Sequence, residues 1–399
     1  MPCFSEVIMK HPVIVSAART PIGSLQGKLS GLSATRLGSI VIQEVLKRAQ
    51  LQEAQVEEVI MGNVLAAGLG QAPARQAALG AGLPHEVSCM TINKVCGSGL
   101  KAVMSAAQAI MAGDVDIVVA GGMESMSNAP YLLMKARTGY RMGSGELVDS
   151  MVHDGLWDAY NQFHMGAAGE ICARTLKISR EEQDEFAIAS YQRAQKAQAQ
   201  EDFKRELVSV SVPSDSLENT VILADEEPKR VNFAKLAQLK PSFESNGSIT
   251  AGNASSISDG AAAVVVMSEE KARALGLKPM AKIIGYTAYG TEPAWFTTAP
   301  AKAILSLLQR TGRSVASVDL FEINEAFAVC SIAVNRELGL DSGKVNVRGG
   351  AIALGHPLGA SGARILTTLL HALEDLDLRR GVASLCIGGG EAIAMMVER

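Results

Sequence analysis

The chain of 399 residues contains an internal repeat, and this repeat restricts the possible folds more than any other feature of the sequence. Each copy is predicted to form a strand, a helix and a second strand, at 12–23, 34–49 and 57–64 in the first copy and at 281–290, 301–310 and 318–324 in the second. Such a duplication indicates an α/β core, because each copy must bury its apolar face against the other. We therefore expect two parallel-rich sheets that are covered by helices and packed together.

A segment at 123–249 separates the two copies and differs from them in composition. It is rich in Met, Tyr and Gly up to about residue 168, and it is polar and charged over 200–240. Between these parts a helix is predicted to begin at Ser179, since Glu182 completes a capping box. Insertions of this length are usually functional. The sequence thus divides into an N-terminal half at 1–122 and 250–278, an inserted loop domain at 123–249 and a C-terminal half at 279–399.

The composition of the whole chain argues against several classes of function. Hydrophobic residues make up 48% and charged residues 20%, which is typical of a large, well-buried globule. The net charge is −4 and no basic block occurs, so nucleic acid is not an expected partner. Six cysteines without CxxC spacing predict neither a zinc site nor a disulfide framework. We find no run of 18 apolar residues and no targeting signal, and we expect a cytoplasmic protein without a membrane partner.

Cys96, in the run NKVCGSG, is the strongest candidate for a chemical role. The run follows a strand-like stretch and immediately precedes a helical pattern, so that Cys96 is predicted to lie at a helix N-terminus. The partial positive charge there favours the thiolate, which is the nucleophilic form of cysteine. A buried, inert cysteine is the alternative for such a residue taken alone.

Three further residues follow strand-like segments and are candidate partners of Cys96. They are Asn324, His356 in GHPLGASG and Cys386 in CIGGG. A nucleophilic cysteine needs a base that is close in space rather than in sequence. In sheets of this kind ligands collect at the carboxyl ends of the strands, so a pseudo-twofold between the halves would bring all four residues to one cleft. Each of the three alone would more often be structural, whereas together they predict a site.

The motifs NKVCGSG, NEAFA at 324–328, GGAIALGHPLGASG and CIGGG, in this order and spacing, resemble the thiolase family over essentially the full chain. The resemblance implies an α/β fold with a duplicated core in five layers, α-β-α-β-α, and an inserted loop domain. HMG at 164–166 and TAGNAS at 250–255 resemble most the biosynthetic branch, which reversibly joins two acetyl-CoA into acetoacetyl-CoA and CoA. The resemblance also implies that the substrates are coenzyme A thioesters, that no metal or permanently bound cofactor is needed, and that the protein is a homotetramer.

The resemblance further implies a role for each candidate residue. Cys96 would carry the acetyl group as a thioester, His356 would deprotonate Cys96, and Cys386 would remove and return a proton on the second acetyl-CoA. The backbone N–H groups of Cys96 and Gly388 would form one oxyanion hole. His356 and a water held by Asn324 would form the other.

The same resemblance implies a path for coenzyme A across the insertion. The residues that would line it are Leu156, His164, Met165, Phe243, Ala251, Ser255 and Phe327. Lys229 or Arg230, in DEEPKRVN, would lie near the adenine. Two departures from the family pattern are Ser256, where glycine is common, and AWFTTAP at 294–300, where biosynthetic members often have a Met-Gly-rich loop. The second departure bears on which acyl chains are accepted.

Three alternatives to acetyl-CoA condensation remain open from the sequence. The first is a degradative 3-ketoacyl-CoA thiolase that prefers longer chains. The second is a ketoacyl synthase, which is disfavoured because such enzymes pair their cysteine with a second His, or with His and Asn, where this chain offers Cys386. The third is a catalytically silent, thiolase-like acyl or lipid carrier, against which the intact Cys96, His356 and Cys386 argue.

Overall fold

The computed structural model describes residues 9–213 and 219–399. The first eight residues of the predicted N-terminal half, including Cys3, and residues 214–218 of the predicted insertion lie outside the described residues. The first part of the chain forms β1 (Pro12–Arg19), β2 (Gly23–Ser24), α1 (Ala34–Arg48), β3 (Glu58–Gly62), α2 (Pro73–Gly80), β4 (Ser88–Ile92), α3 (Ser98–Ala112) and β5 (Ile117–Ser125).

The middle part contains short strands and two longer helices. They are β6 (Tyr131–Leu132), β7 (Val148–Asp149), β8 (Trp157–Asp158), β9 (Phe163–His164), α4 (Met165–Leu176), α5 (Arg180–Ala199), β10 (Val210–Val212), β11 (Thr220–Ile222) and α6 (Phe233–Leu236). The rest of the chain forms β12 (Ser258–Ser268), α7 (Glu269–Ala274), β13 (Ala281–Gly290), α8 (Ala299–Thr311), β14 (Leu320–Ile323), α9 (Ala328–Leu338), α10 (Ala351–Leu354), α11 (Leu358–Asp375), β15 (Arg380–Ile387) and β16 (Glu391–Glu398).

All six predicted elements of the repeat are formed, because their apolar patterns match the period of a strand or a helix. The predicted capping box at the start of α5 is also formed. The Glu182 N–H donates to the Ser179 hydroxyl at 3.2 Å, and the Ser179 N–H donates to the Glu182 carboxylate at 2.9 Å. β5 runs to Ser125, three residues beyond the predicted end of the N-terminal half at 122.

The duplication is visible in the order of the strands. Nine strands follow one another in the sheet as β14-β15-β16-β13-β1-β12-β5-β3-β4, and β2 pairs with β12. Reading outward from the centre, the first half has the order β1-β12-β5-β3-β4 and the second has β13-β16-β15-β14. The two halves meet where β1 pairs with β13, at Val13–Lys282 and Ile14–Ala281. The order β13-β16-β15-β14 therefore repeats the order β1-β12-β5-β3, and β4 has no counterpart among the described strands.

The prediction that the sheets are rich in parallel pairs is wrong, and the sheets of the two halves are joined at β1 and β13. The described strands of both halves belong to one sheet, and only β3–β4, β3–β5 and β14–β15 are parallel pairs in it. β12 is antiparallel to both β1 and β5, and β16 is antiparallel to both β13 and β15. The reason for antiparallel pairing is clearest at residues 388–390, which join β15 directly to β16. A connection this short allows only an antiparallel hairpin, whereas parallel neighbours need a long crossover.

The helices arrange the molecule in five layers. α1 and α2 cover the outer face of the first half, and α8 covers the outer face of the second. α3 and α11 lie between the halves and share a core with the inner faces of both. The window Val95–Ala112, with a mean hydropathy of 1.2, is long and apolar enough to span a membrane by length and composition alone. However, 56% of that window is buried within the protein, as expected for a helix of the central layer.

A buried ion cluster joins the insertion to the core. Arg19, at the end of β1, is fully buried and donates to the carboxylates of Glu206 at 2.5 Å and Asp225 at 2.7 Å. Its guanidinium also lies 5.0 Å from the centre of the Phe203 ring. Both carboxylates belong to the insertion, whereas Arg19 belongs to the core. These ion pairs therefore link the two parts of the chain.

Candidate active site

Residues from both halves and from the insertion line a single cavity of about 460 Å³. Eleven of the fourteen residues predicted to form the site line it: Cys96, Leu156, His164, Met165, Arg230, Phe243, Ala251, Ser255, Phe327, His356 and Gly388. Asn324 and Cys386 are buried next to this cavity. Lys229 instead lines a different cavity, so of the two cations left open by the sequence the structure places Arg230 at the site.

Cys96 lies in a strained turn between β4 and α3. Val95, just before it, has a φ of +45°, a left-handed conformation that is costly for a β-branched residue. The turn is held by the Val95 N–H, which donates to the Asn93 side chain at 2.9 Å, and by the Ser98 hydroxyl, which donates to the Val95 carbonyl at 2.6 Å. This geometry presents Cys96 to the cavity directly before α3 begins at Ser98. The sequence pattern gave no sign of the strain at Val95.

The surroundings of the Cys96 sulfur act against the thiolate, which the helix terminus favours. Burial, together with the neighbouring Cys386, raises the pKa of its thiol to about 12. The backbone N–H groups of Gly388 and Cys96 lower the pKa but do not compensate. Desolvation destabilises the thiolate by more than the partial positive charge of the helix terminus stabilises it. The resting nucleophile is therefore a thiol that must lose its proton during the reaction. The two N–H groups that lower this pKa are the ones predicted to form the first oxyanion hole.

His356 lies between α10 and α11, two residues before α11 begins. Gly355, which precedes it, has a φ of +109°, and a Cβ at this position would overlap the side chain of Ser258. Burial, aided by the positive charge of Arg364, lowers the pKa of His356 to about 3. The imidazole is therefore neutral at physiological pH and has one nitrogen able to accept a proton. This is the protonation state that a base for Cys96 requires.

Asn324 and Cys386 occupy the ends of two neighbouring strands. Asn324 follows β14, and its side-chain nitrogen lies 3.5 Å from both ring nitrogens of His356. Its side-chain oxygen is buried and has no hydrogen-bond partner among the described residues. A buried polar oxygen of this kind suits the predicted task of holding a water. Cys386 lies within β15, opposite Ala392 of β16, and is 1% exposed.

Sequence reasoning missed Glu124, a buried carboxylate at the end of β5. It accepts hydrogen bonds from the backbone N–H groups of Gly359 at 2.8 Å, Val64 at 3.0 Å and Leu65 at 3.1 Å, and from the Asn63 side chain at 2.8 Å. Burial raises its pKa to about 7. Through these hydrogen bonds Glu124 connects the first turn of α11 to the residues that follow β3. It thereby also holds the neighbouring segment that carries His356. An acidic residue inside an apolar strand was the only signal in the sequence.

Aromatic side chains shape the part of the cavity that was predicted to receive coenzyme A. The rings of His164 and Phe243 stack with their centres 4.7 Å apart, and Phe327 meets Phe243 edge-on at 5.9 Å. Arg230 lines the same cavity and pairs with Glu227 at 3.3 Å. Across residues 9–213 and 219–399, no three His, Cys, Asp or Glu side chains are grouped so that they could hold a metal ion.

Alkylation of Cys96 by iodoacetamide is expected to accelerate about tenfold for each pH unit between roughly pH 7 and pH 9, without levelling off. Only the thiolate reacts, and below a pKa of about 12 its fraction grows with every unit of pH. Acetyl-CoA should protect, because acetylation consumes the thiol. Labelled peptides can be quantified by mass spectrometry beside residual activity. A plateau below pH 8, or activity loss that follows labelling of the half-buried Cys89, would contradict this expectation.

Comparison with known proteins supports the family resemblance. The family model described as "Thiolase, N-terminal domain" matches residues 12–270, and "Thiolase, C-terminal domain" matches residues 277–399. The chain is 56% identical to acetyl-CoA acetyltransferase 1 of Arabidopsis thaliana, over 96% of this chain and 93% of that protein. It is 51% identical to an acetyl-CoA acetyltransferase of Allochromatium vinosum, over 97% of this chain and 98% of that protein.

Solved structures agree with these matches. A thiolase of Ascaris suum in complex with coenzyme A superimposes with a TM-score of 0.93 and 46% identity, covering 98% of this chain and all of that one. The likeness of fold extends over the duplicated core and the insertion alike, since almost nothing of either chain is left uncovered. The predicted α/β thiolase fold is thereby confirmed, and the chain belongs to the thiolase family.

Proposed function

We propose that this protein joins two molecules of acetyl-CoA into acetoacetyl-CoA and free CoA, and that it catalyses the reverse thiolysis. One observation carries the proposal most directly. Cys96 and His356 line one cavity, and Cys386 lies close enough to influence the thiol of Cys96. Relatives at about half identity over nearly the full chain are named acetyl-CoA acetyltransferases. Release of CoA from acetyl-CoA, and thiolysis of acetoacetyl-CoA, test the proposal; a protein that does neither would be a carrier.

In the first half-reaction Cys96 takes up the acetyl group. His356 accepts the thiol proton while the sulfur attacks the thioester carbonyl, and the bond to the CoA sulfur then breaks. The carbonyl oxygen carries negative charge in the intermediate. The backbone N–H groups of Cys96 and Gly388 can stabilise that charge, since both lower the pKa of the Cys96 thiol and therefore favour negative charge beside it.

In the second half-reaction Cys386 acts as acid and base. A thiol must lose its proton before it can accept one, and the departing CoA thiolate is a suitable acceptor of the Cys386 proton. The Cys386 thiolate then removes a proton from the methyl group of a second acetyl-CoA. The resulting carbanion attacks acetyl-Cys96, acetoacetyl-CoA leaves, and His356 returns its proton to Cys96. His356 and a water on Asn324 would stabilise the enolate oxygen.

We also propose that the protein is a cytoplasmic homotetramer that supplies lipid metabolism. β4 pairs only with β3 among the described strands, so its outer edge is open to a second copy. Six exposed apolar side chains also lie between residues 131 and 147 of the insertion: Tyr131, Leu133, Met134, Tyr140, Met142 and Leu147. The five described cysteines are unpaired, which fits a reducing compartment. Sedimentation equilibrium giving a monomer, or a secreted fluorescent fusion, would contradict these proposals.

A degradative thiolase for longer chains is the second candidate, and Phe296 argues against it. Phe296 lines the cavity, is 3% exposed and packs in the same cluster as Cys386 and Met165. A bulky ring beside the reacting atoms leaves little room for a long acyl chain. Trp295, its neighbour in the loop 294–300, instead lines a different cavity.

Phe296→Ala is therefore expected to raise six-carbon over four-carbon 3-ketoacyl-CoA thiolysis, by about tenfold in the ratio of kcat/KM, because room for one or two methylene groups is gained. Trp295→Ala is the matched control, since it removes a large aromatic ring from the same loop outside the cavity. Thiolysis rates over a series of chain lengths provide the measurement. Equal shifts in both variants, or none in either, would show that this loop does not set chain length.

A further inference from the structure

Ser361, in the first turn of α11, is the closest hydrogen-bonding partner of the His356 ring among the described residues. Its hydroxyl oxygen lies 2.5 Å from the His356 Nδ1 atom, whereas the Asn324 nitrogen is 3.5 Å away from each ring nitrogen. The Ser361 hydroxyl also reaches the carbonyl oxygen of Pro357, one helical turn earlier, at 2.9 Å. Ser361 is 1% exposed, so water does not compete for this contact.

The two contacts of Ser361 bear on which ring nitrogen of His356 carries the hydrogen. A serine hydroxyl has a single hydrogen, and the Pro357 carbonyl can only accept it, whereas Nδ1 can either donate or accept. When the hydroxyl donates to the Pro357 carbonyl, its oxygen accepts from Nδ1, and both contacts are satisfied as hydrogen bonds. A neutral imidazole has one N–H group, and its tautomer follows the hydrogen bond that one nitrogen makes. Nε2 is consequently left with its lone pair.

We propose that Ser361 is a positioning residue that holds His356 as the Nδ1–H tautomer, with Nε2 free to take the proton of Cys96. The inference rests on the proposed function, in which His356 is the base for Cys96. Without Ser361 the ring loses both its fixed orientation and the partner of its N–H group. A fraction of His356 would then carry its hydrogen on Nε2 and could not accept another there.

The test is the rate at which CoA is released in the first turnover with acetyl-CoA, which reports acetylation of Cys96. Ser361→Ala is expected to slow this release on the order of tenfold and to lower kcat equally, the usual effect of losing one orienting hydrogen bond. The KM for acetyl-CoA should stay unchanged, because Ser361 does not line the cavity. Ser361→Thr should restore the rate to within about threefold, since a helical threonine can keep the bond to the carbonyl four residues earlier.

Thr367→Val is the matched control. Thr367 lies in the same helix. Its hydroxyl is buried and has no hydrogen-bond partner among the described residues. The acetylation rate of this variant should equal that of the unchanged protein. Should Ser361→Thr melt at a lower temperature, Ser361→Cys retains a weaker donor and acceptor and should give an intermediate rate.

Two results would overturn the inference: normal acetylation in Ser361→Ala, or equal losses in the alanine and threonine variants with melting temperatures unchanged. His356→Ala separates this failure from failure of the proposed function. Slow acetylation in His356→Ala with a normal rate in Ser361→Ala would reject the role of Ser361 alone. Normal acetylation in His356→Ala would reject the role of His356 as base, and that of Ser361 with it.

Discussion

Cys96→Ala should lose both half-reactions, with CoA release from acetyl-CoA and thiolysis of acetoacetyl-CoA each falling by at least about 10⁴-fold. Cys386 cannot replace it, because Cys386 is enclosed within β15 and serves proton transfer in the proposed reaction. Alanine differs from cysteine only by the sulfur atom. The fold should therefore persist, and the melting temperature should change little.

A first-turnover assay of CoA release is the decisive measurement for Cys96→Ala, since it isolates the acetyl transfer. Binding of CoA to the variant, measured by calorimetry, serves as the control for an intact cavity. Cys89→Ala provides a matched substitution on the neighbouring strand β4 and should leave both rates unchanged. CoA release from Cys96→Ala at more than one-hundredth of the normal rate would move the nucleophile elsewhere.

Cys386→Ser should separate the two half-reactions. Acetylation of Cys96 should persist, because CoA can leave as a thiolate and take its proton from water. Condensation should fall by about 10²–10⁴-fold, since a serine hydroxyl is a far poorer acid and base than a thiol. Both rates can be followed by single-turnover mass spectrometry of acetyl-Cys96 and by formation of acetoacetyl-CoA.

The control for Cys386→Ser is Cys172→Ser. Cys172 is buried in the same apolar cluster, so the same exchange of sulfur for oxygen is made there without a proposed role in proton transfer. Its condensation rate should stay close to normal. If Cys386→Ser condenses acetyl-CoA at normal speed, the proton-transfer step belongs to another group. If both serine variants lose condensation equally, the loss reflects packing and not chemistry.

The fold could be predicted in its elements but not in its strand directions. Helices and strands follow local periodicity, and the capping box at Ser179 was visible from two residues alone. The sheet depends on which strands become neighbours, and a repeat does not specify this. The three residues at 388–390 indicated a hairpin, yet their glycines were interpreted only as part of the site.

The candidate site was predicted well where residue types and glycine-rich motifs carry the information. Cys96, His356 and Gly388 do line one cavity, although they are far apart in sequence. The pKa of Cys96 could not be obtained in this way, because it depends on how much protein surrounds the sulfur. The contacts of Ser361 and Glu124 could not be predicted from the sequence either, since each depends on atoms that only the fold brings together.

The buried cluster around Arg19 makes the insertion inseparable from the core in an evolutionary sense. A chimaera that exchanged residues 123–249 for the corresponding segment of a relative would have to supply carboxylates equivalent to Glu206 and Asp225. Otherwise a guanidinium would stay buried without a counter-ion, at a cost of about 3–5 kcal/mol. Recombination within this part of the gene is thus constrained by one arginine of the first strand. The segment that lines part of the cavity could therefore be exchanged only for one that also satisfies Arg19.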